Sequence, residues 1–307
     1  MWSVRFASLA VLVATLAAPS AAHAFCRASA CDNSVGEGSI CKPKQGTDCG
    51  KPLKWKRDCV GIAVQKDASA KVPYPEAKGT VRAAFAEWEK AGCGESGPGF
   101  HVEILNKVEC GKVEYNREGA NVNVLVFRDE AWPHDDDGVH NIALTTVTFD
   151  VDTAEIYDAD IEVNTFKFDL TVSNEPEATD KDFLAVLTHE AGHFLGLAHS
   201  EEPGATMNAV YNDAEPFAFR SIEADDQLAV CDAYPPRELG ECNPIPRHGF
   251  SGACMDGQTE TGCAIARTPA PSGSEGSLPA ALGVAFGALG AALVWRRARR
   301  RVRPAAR

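Results

Sequence analysis

Hydrophobic positions between residues 76 and 91 repeat at the spacing of one face of an α-helix. Val81, Ala84, Phe85 and Trp88 stand at i, i+3, i+4 and i+7. Because an α-helix turns once in 3.6 residues, these four side chains share one face. The pattern therefore predicts an amphipathic helix over residues 76–91 that packs on a core through this face.

Further helices and strands are predicted downstream of this helix. One helix is expected over residues 179–196, opened by a capping box of Thr179 and Asp182, and another over residues 221–234, stopped by two prolines. Strand-like apolar runs predict five strands, at residues 60–65, 100–105, 121–127, 143–149 and 156–163. A helix and several strands, followed by helices, indicate an α+β fold in which helices pack on a sheet.

The two ends of the chain have patterns of their own. Residues 1–24 place one arginine before an apolar run and end on small residues, which predicts a Sec-type export signal. At the other end, a Pro/Gly/Ser linker at 269–277 leads to an apolar stretch at 278–295 and a basic tail at 296–307. This order predicts a hydrophobic helix with cytoplasmic arginines, so membrane contact is expected only through the tail.

Charge and cysteine content narrow the class of protein. Without residues 1–24 and 278–307, which hold eight arginines and no acidic residue, the body has 22 basic and 43 acidic residues, a net charge of −21. Such a surface repels phosphates, so nucleic acid is not expected as a partner, whereas Ca²⁺ is compatible with it. All 11 cysteines follow the export signal and none has C-x-x-C spacing, which predicts disulfides in an exported protein.

The sequence also predicts how the body is divided. We expect a Cys-rich lead-in at 25–59, a domain at 60–236 and a Cys-containing spacer at 237–268.

The candidate chemistry is concentrated between His189 and His199. His189 and His193 lie four residues apart, so a helix presents both imidazoles on one face. Gly196 permits a positive φ that ends the helix, and the chain can then double back to deliver His199 as a third nitrogen. Three imidazoles leave one coordination position open, which is the arrangement of a catalytic zinc site.

Glu190 directly follows the first histidine of this group. At that position it is placed to reach a metal-activated water and not the metal itself. As a general base it would take a proton from the water and pass it to the leaving amine. The predicted reaction is therefore the hydrolysis of a peptide bond.

The extended pattern H-E-x-x-H-x-x-G-x-x-H resembles that of the metzincin zinc metallopeptidases. Met207, eight residues after His199, is similar in placement to the methionine turn of that family, and Ser200 points to its matrixin branch. Tyr211, four residues after Met207, resembles the tyrosine in the wall of the matrixin substrate pocket. An aspartate pair that ends at Asp226 resembles the acidic pair that supports the Met-turn, although a solvated helix carboxylate fits this position equally well.

The resemblance implies a fold, a cofactor and a class of substrate. The fold is a twisted mixed sheet with two long helices, and the cofactor is one catalytic Zn²⁺ ion. Protein or peptide substrates would add as another strand to the edge strands within residues 143–164. The tail resembles the Myxo-CTERM sorting tails of bacterial surface proteins, from which a sorting protease removes the helix. A permanent anchor fits the tail equally well.

One acidic loop is a second candidate for cation binding. Asp135, Asp136 and Asp137 lie between His134 and His140, and hard cations prefer such carboxylate oxygens. A solvated acidic loop is the alternative, and it is favoured.

Three candidate functions are consistent with these residues, and the way in which activity would be kept latent is a separate question. A secreted or cell-surface zinc endopeptidase is favoured because Glu190 is intact. A catalytically silent zinc-containing binding or adhesion module has the same ligands, and a cell-wall metallo-amidase has the same chemistry. Residues 49–52 (C-G-K-P) echo the core of the matrixin cysteine switch without its flanking charges, so a disulfide is favoured there and the control of latency stays open.

Overall fold

The structure of this 307-residue chain is a computed structural model. It describes residues 25–29, 51–134, 141–175 and 180–254, together with the backbone of residues 281–287. The predicted export signal, linker and basic tail lie outside the described residues.

A mixed sheet forms the scaffold of the domain. Its strands are β1 Cys59–Val64, β2 His101–Ile104, β3 Val124–Phe127, β4 Asn141–Phe149, β5 Ile156–Val163 and β8 Ala281–Gly287, while β6 Leu170–Thr171 and β7 Lys181–Asp182 pair with each other. The six strands lie in the order β2-β1-β3-β5-β4-β8. The first four are parallel, whereas β4 runs antiparallel to both of its neighbours. All five predicted strands are present, which confirms the α+β fold with a mixed sheet.

Three α-helices accompany the sheet in the described residues: α1 Tyr74–Glu89, α2 Phe183–Phe194 and α3 Ala224–Ala233. A short 3-10 helix, Ala218–Arg220, precedes α3. Helix α2 begins later than predicted, because residues 181–182 are still extended in β7. Its N-cap is Asp182, whose side chain accepts a hydrogen bond from the Ala185 amide at 2.8 Å. The predicted capping box, in which Asp182 follows the cap by three residues, is therefore wrong.

Helices α1 and α2 pack against each other in the main core. The Trp88 indole donates a hydrogen bond to the Thr188 carbonyl at 2.8 Å, and the rings of Phe85 and Phe194 meet edge to face with centroids 5.0 Å apart. Trp88 and Phe194 are completely buried, and the burial of aromatic side chains of this size stabilises a core by several kcal/mol. The amphipathic face predicted from the sequence thus supports the helix that carries the histidine motif.

Part of the predicted lead-in belongs to the same core. Leu53 is completely buried, and the Trp55 indole donates a hydrogen bond to the Phe194 carbonyl at 2.8 Å, at the end of α2. Residues 25–29 lie beside the chain that leaves α2, where the Ala28 amide donates to the Gly196 carbonyl at 3.1 Å. These segments hold the turn that follows helix α2.

Disulfides join distant parts of the chain, as predicted from the cysteine usage. Among the described residues the bonds are Cys59–Cys242, Cys93–Cys231 and Cys110–Cys254. Two of the three involve the predicted spacer, which Cys242 joins to the first residue of β1 and Cys254 joins to Cys110. Because each closes a loop of more than one hundred residues, each stabilises the fold by restricting the unfolded chain, by about 4–5 kcal/mol in the chain-entropy picture.

The apolar tail differs from its prediction where the structure describes it. Residues 281–287 form strand β8, which pairs along β4 with Thr145 opposite Val284. The helix predicted for 278–295 is therefore wrong for these seven residues. Gly283 and Gly287 disfavour a helix, and the outer edge of β4 offers unpaired backbone groups for a further strand. Among the described residues, no helix has the length and apolar character required to cross a bilayer.

Candidate metal centre

Helix α2 and the turn after it bring three histidines together. His189 and His193 lie on one face of α2, and the helix ends when the Leu197 amide donates to the Gly192 carbonyl at 3.0 Å. Gly196 follows the helix with φ of +84°, and this left-handed conformation reverses the chain towards His199.

The turn at Gly196 is also closely packed. A Cβ atom at Gly196 would lie 2.5 Å from the Leu53 carbonyl oxygen. Both the positive φ and the close approach of the Leu53 carbonyl oxygen thus require glycine here. The sequence predicted a glycine turn at this position, before His199.

The three imidazoles converge through their Nε2 atoms. His193 Nε2 lies 3.0 Å from His189 Nε2 and 3.2 Å from His199 Nε2. His189 Nδ1 donates to the Thr206 carbonyl at 2.6 Å, and His193 Nδ1 donates to the Leu197 carbonyl at 2.8 Å. Because a carbonyl only accepts, these two bonds place the ring protons on Nδ1 and leave the Nε2 lone pairs facing each other.

Burial keeps these histidines neutral. It lowers the pKa of His189 and His193 well below the ordinary value, with the neighbouring imidazoles adding to the effect, and it lowers the pKa of His199 to about 4. Neutral imidazoles with convergent lone pairs repel one another unless a cation lies between them. The separations also approach the value of about 3.3 Å that tetrahedral zinc with bonds of about 2.0–2.1 Å imposes. The group could therefore hold a metal ion, and its donor set fits zinc.

Glu190 lies in the same buried region. Burial raises the pKa of its carboxyl to about 8, although a hydrogen bond from the Thr145 hydroxyl to Oε2 opposes the shift. Among the described residues, Oε1 has no hydrogen-bond partner. One carboxylate oxygen is thus held by the sheet, and the other has no hydrogen-bond partner among the described residues.

Comparison with known proteins agrees with this geometry. Residues 107–235 match the Matrixin family of M10 peptidases. The similarity to the Matrixin family thus covers less than half of this chain. The human matrix metalloproteinase-20 is 36% identical over 67 residues, which are 22% of this chain and 14% of that protein. Human matrilysin is 38% identical over 53 residues, 17% of this chain and 20% of that protein. The aligned segments thus span a fifth or less of these relatives.

The matched family is one of metallopeptidases, and zinc is the metal that this family implies for the group of His189, His193 and His199. The match covers the histidine motif and three of the six strands of the sheet (β3, β4 and β5), and it confirms the resemblance stated from the sequence. It does not include residues 25–106, in which the lead-in and helix α1 lie.

Met207 packs against helix α2 at Gly192. A Cβ atom at Gly192 would overlap the Met207 sulfur and would lie 2.8 Å from the Trp88 ring. Asp226 Oδ1 accepts a hydrogen bond from the Met207 amide at 3.0 Å, and Oδ2 accepts one from the Thr206 amide at 2.7 Å. The reading of Asp226 as a solvated carboxylate is therefore wrong, because its buried side chain supports the backbone at Met207, whereas the assignment of this segment as a Met-turn stays a prediction.

Ser200 and Tyr211 are both buried and both form hydrogen bonds to neighbouring segments. The Ser200 hydroxyl donates to Asp225 Oδ2 at 2.6 Å, and the Ser200 amide donates to the Met207 carbonyl at 2.8 Å. The Tyr211 hydroxyl accepts a bond from the Asp182 amide at 2.8 Å, at the start of α2. Burial raises the pKa of Tyr211 to about 12, so this phenol stays neutral. Its role in a substrate pocket stays a prediction.

The acidic loop at residues 135–137 lies outside the described residues. Its neighbour His134 is described, and its Nε2 lies 2.8 Å from Oε2 of Glu162 on β5. The Arg128 guanidinium also contacts Glu162, with Nε donating to Oε1 at 2.6 Å. Glu162 and Thr145 were not predicted from the sequence, because their contacts join residues far apart in the chain.

Proposed function

We propose that this chain is an exported zinc-dependent endopeptidase. In this proposal His189, His193 and His199 hold one zinc ion, and Glu190 is the general base. The observation that supports it most strongly is the convergence of three neutral imidazoles on one point beside a buried carboxylate.

The chain's own residues divide the work of hydrolysis. Zinc held by the three histidines supplies a Lewis acid that polarises a carbonyl and lowers the pKa of water. The unpaired Oε1 of Glu190 takes a proton from the attacking water and returns it to the leaving amine. Burial of Glu190 strengthens electrostatic interactions there, because bulk water no longer screens the charges.

The substrate class follows from the sheet. In this proposal an extended peptide adds to the outer edge of β4, where strand β8 lies in the structure. Strand addition uses main-chain hydrogen bonds, so such an enzyme accepts many sequences. Proteins and peptides are therefore the proposed substrates.

Export is proposed from the first 24 residues and from the disulfides. Three long-range disulfides are typical of proteins that fold in an oxidising compartment. Both fates of the tail, retention as an anchor and removal by a sorting protease, stay predictions. The binding of Ca²⁺ also stays a prediction.

Cleavage by zinc-loaded protein tests the proposal. Casein and a quenched fluorogenic peptide are incubated with wild type, with Glu190→Ala and with Glu118→Ala, a control at an exposed glutamate. We expect cleavage by wild type and by the control, loss of at least about a thousandfold in Glu190→Ala, and inhibition by a chelator that added zinc reverses. Unchanged cleavage by Glu190→Ala would rule out the mechanism. Zinc binding without cleavage of either substrate would contradict the peptidase assignment, and release of peptides from purified peptidoglycan alone would indicate an amidase.

A further inference from the structure

We propose that Thr145 is a positioning residue that fixes the rotamer of Glu190. The inference rests on the proposed function, because Glu190 acts as the general base there. Thr145 lies in the middle of β4, it is completely buried, and its hydroxyl is the described hydrogen-bond donor to the Glu190 carboxylate.

The hydroxyl of Thr145 contacts Glu190 at two places. It lies 2.5 Å from Oε2 and 3.3 Å from the Glu190 carbonyl oxygen. A hydroxyl has a single proton to donate. Of the two oxygen atoms, the carboxylate oxygen is nearer and is the stronger acceptor. The hydrogen bond therefore goes to Oε2, and Oε1 is left without a described partner.

The position of this hydroxyl is set by the sheet. Thr145 pairs with Ile161 on the antiparallel strand β5, inside an uninterrupted register from Ala143 to Thr148. Successive side chains of a strand point to opposite faces, so Thr145 faces α2 while Thr146 faces away. A donor on a strand that is paired in register with its neighbour has little freedom, in contrast to one on a loop.

Such a donor matters because glutamate is a flexible side chain. Without an anchor, a carboxylate at the end of three rotatable bonds samples several rotamers, and only those that reach the reacting water are productive. Binding Oε2 to the sheet selects one rotamer and directs Oε1 to proton transfer. Partners that orient a functional side chain in this way typically contribute about 10–100-fold to activity.

A threonine that served only as a strand former would be replaced by valine without loss, since both are β-branched and similar in size. Thr145→Val removes the hydroxyl and keeps the shape, whereas Thr145→Ser keeps the hydroxyl. Thr146→Val is the matched control, because Thr146 is also buried but lies on the opposite face of the same strand.

The first measurement is steady-state cleavage by zinc-loaded proteins of verified zinc content. We expect Thr145→Val to lower kcat about 10–100-fold with KM and zinc content near wild type. Thr145→Ser is expected to stay within about threefold of wild type, and Thr146→Val to stay unchanged. Wild-type kcat in Thr145→Val would overturn the proposal, as would equal losses in the valine and serine variants. Thr145→Ala provides a second variant without the hydroxyl if the valine variant does not fold.

The second measurement requires no turnover. Crystal structures of Thr145→Val and Thr145→Ser show directly where the Glu190 carboxylate lies. We expect a changed rotamer or several conformers in the valine variant and the wild-type rotamer in the serine variant. An unmoved, single Glu190 rotamer in Thr145→Val would overturn the proposal. This readout separates the two failures, because Glu190 positioning is tested even if wild type cleaves no peptide.

Discussion

The carboxylate of Asp226 accepts a hydrogen bond from the Met207 amide at 3.0 Å, and this contact ties helix α3 to the turn beneath the histidines. The same carboxylate accepts bonds from the amides of Thr206 and Glu223. One buried side chain thus satisfies three backbone donors, which would otherwise be costly to bury.

Asp226→Asn is expected to destabilise the protein. The amide places an NH₂ group against backbone donors, so at least one buried donor loses its acceptor, at a cost of about 2–4 kcal/mol in the free energy of unfolding. Urea denaturation measures this cost. Asp232→Asn on the same helix is the control, because Asp232 is more than half exposed and its ion pair with Arg27 is worth at most about 1 kcal/mol. Equal effects of the two substitutions would contradict the role assigned to Asp226.

Gly196→Ala is expected to lower both stability and zinc binding. The φ of +84° strains an alanine, and its Cβ would lie 2.5 Å from the Leu53 carbonyl oxygen. We expect a loss of at least about 2 kcal/mol in the free energy of unfolding and weaker zinc binding, because His199 follows this turn. Thermal unfolding and zinc titration check the two effects.

The control for this substitution is Gly79→Ala on helix α1. A Cβ atom at Gly79 would meet nothing within 4 Å, so alanine there is expected to stabilise the helix by up to about 1 kcal/mol. Tight zinc binding by Gly196→Ala would show that His199 is delivered without the glycine turn.

Metal-free protein is expected to show a pH dependence that originates at Glu190. Burial raises the folded-state pKa of this carboxyl to about 8, above its unfolded value near 4.5. The folded state therefore retains a proton that the unfolded state has lost, and the contribution of Glu190 to stability falls as pH rises between these two values, by up to about 1.4 kcal/mol per pH unit.

Glu190→Gln removes this proton linkage. The stability of the variant relative to wild type is expected to increase from pH 5 to pH 8 and then to level off, as measured by urea denaturation in a chelator. A difference that does not vary with pH would contradict the buried, proton-binding state of Glu190. Added zinc should weaken the dependence, because a nearby cation favours the ionised carboxylate.

Removal of residues 269–307 is expected to lower the KM for peptides. Strand β8 pairs along the edge of β4 that substrates are proposed to use. The full-length chain can therefore bind a peptide there only when β8 is displaced. We expect KM to fall about threefold or more with little change in kcat. Fluorogenic peptide kinetics on the two forms provide the comparison.

A substitution in the full-length chain controls for the missing residues. Val284→Pro disrupts a strand at the position opposite Thr145 and should reproduce the effect of the truncation. Ser274→Pro, in the linker, should leave KM unchanged. Equal KM values for wild type and Val284→Pro would show that β8 does not compete with peptides.

The sequence predicted what is encoded locally. The face of α1 and the spacing of His189, His193 and Gly196 follow from helical periodicity and a single turn, so both were readable from short stretches. Contacts across the fold were not readable in this way. Thr145 and Glu190 are 45 residues apart and meet only because β4 packs on α2.

Other features were ambiguous because two structures share one pattern. Asp226 fitted both a solvated helix and a buried support, and only its bond to Met207 distinguishes them. The small apolar residues of 281–287 fitted a helix as well as a strand, and the unpaired edge of β4 decides between them. The disulfide partners required the folded distances between cysteines.

We propose above that three imidazoles hold one zinc ion and leave one of its coordination positions for water. X-ray absorption spectroscopy of the purified, zinc-loaded protein tests this most directly, together with the zinc content per chain. We expect one zinc ion bound by three histidine nitrogens at about 2.0–2.1 Å and by one further light atom, which solvent supplies. Sulfur in the coordination shell, fewer than three histidines, or a fourth ligand from the protein would contradict it.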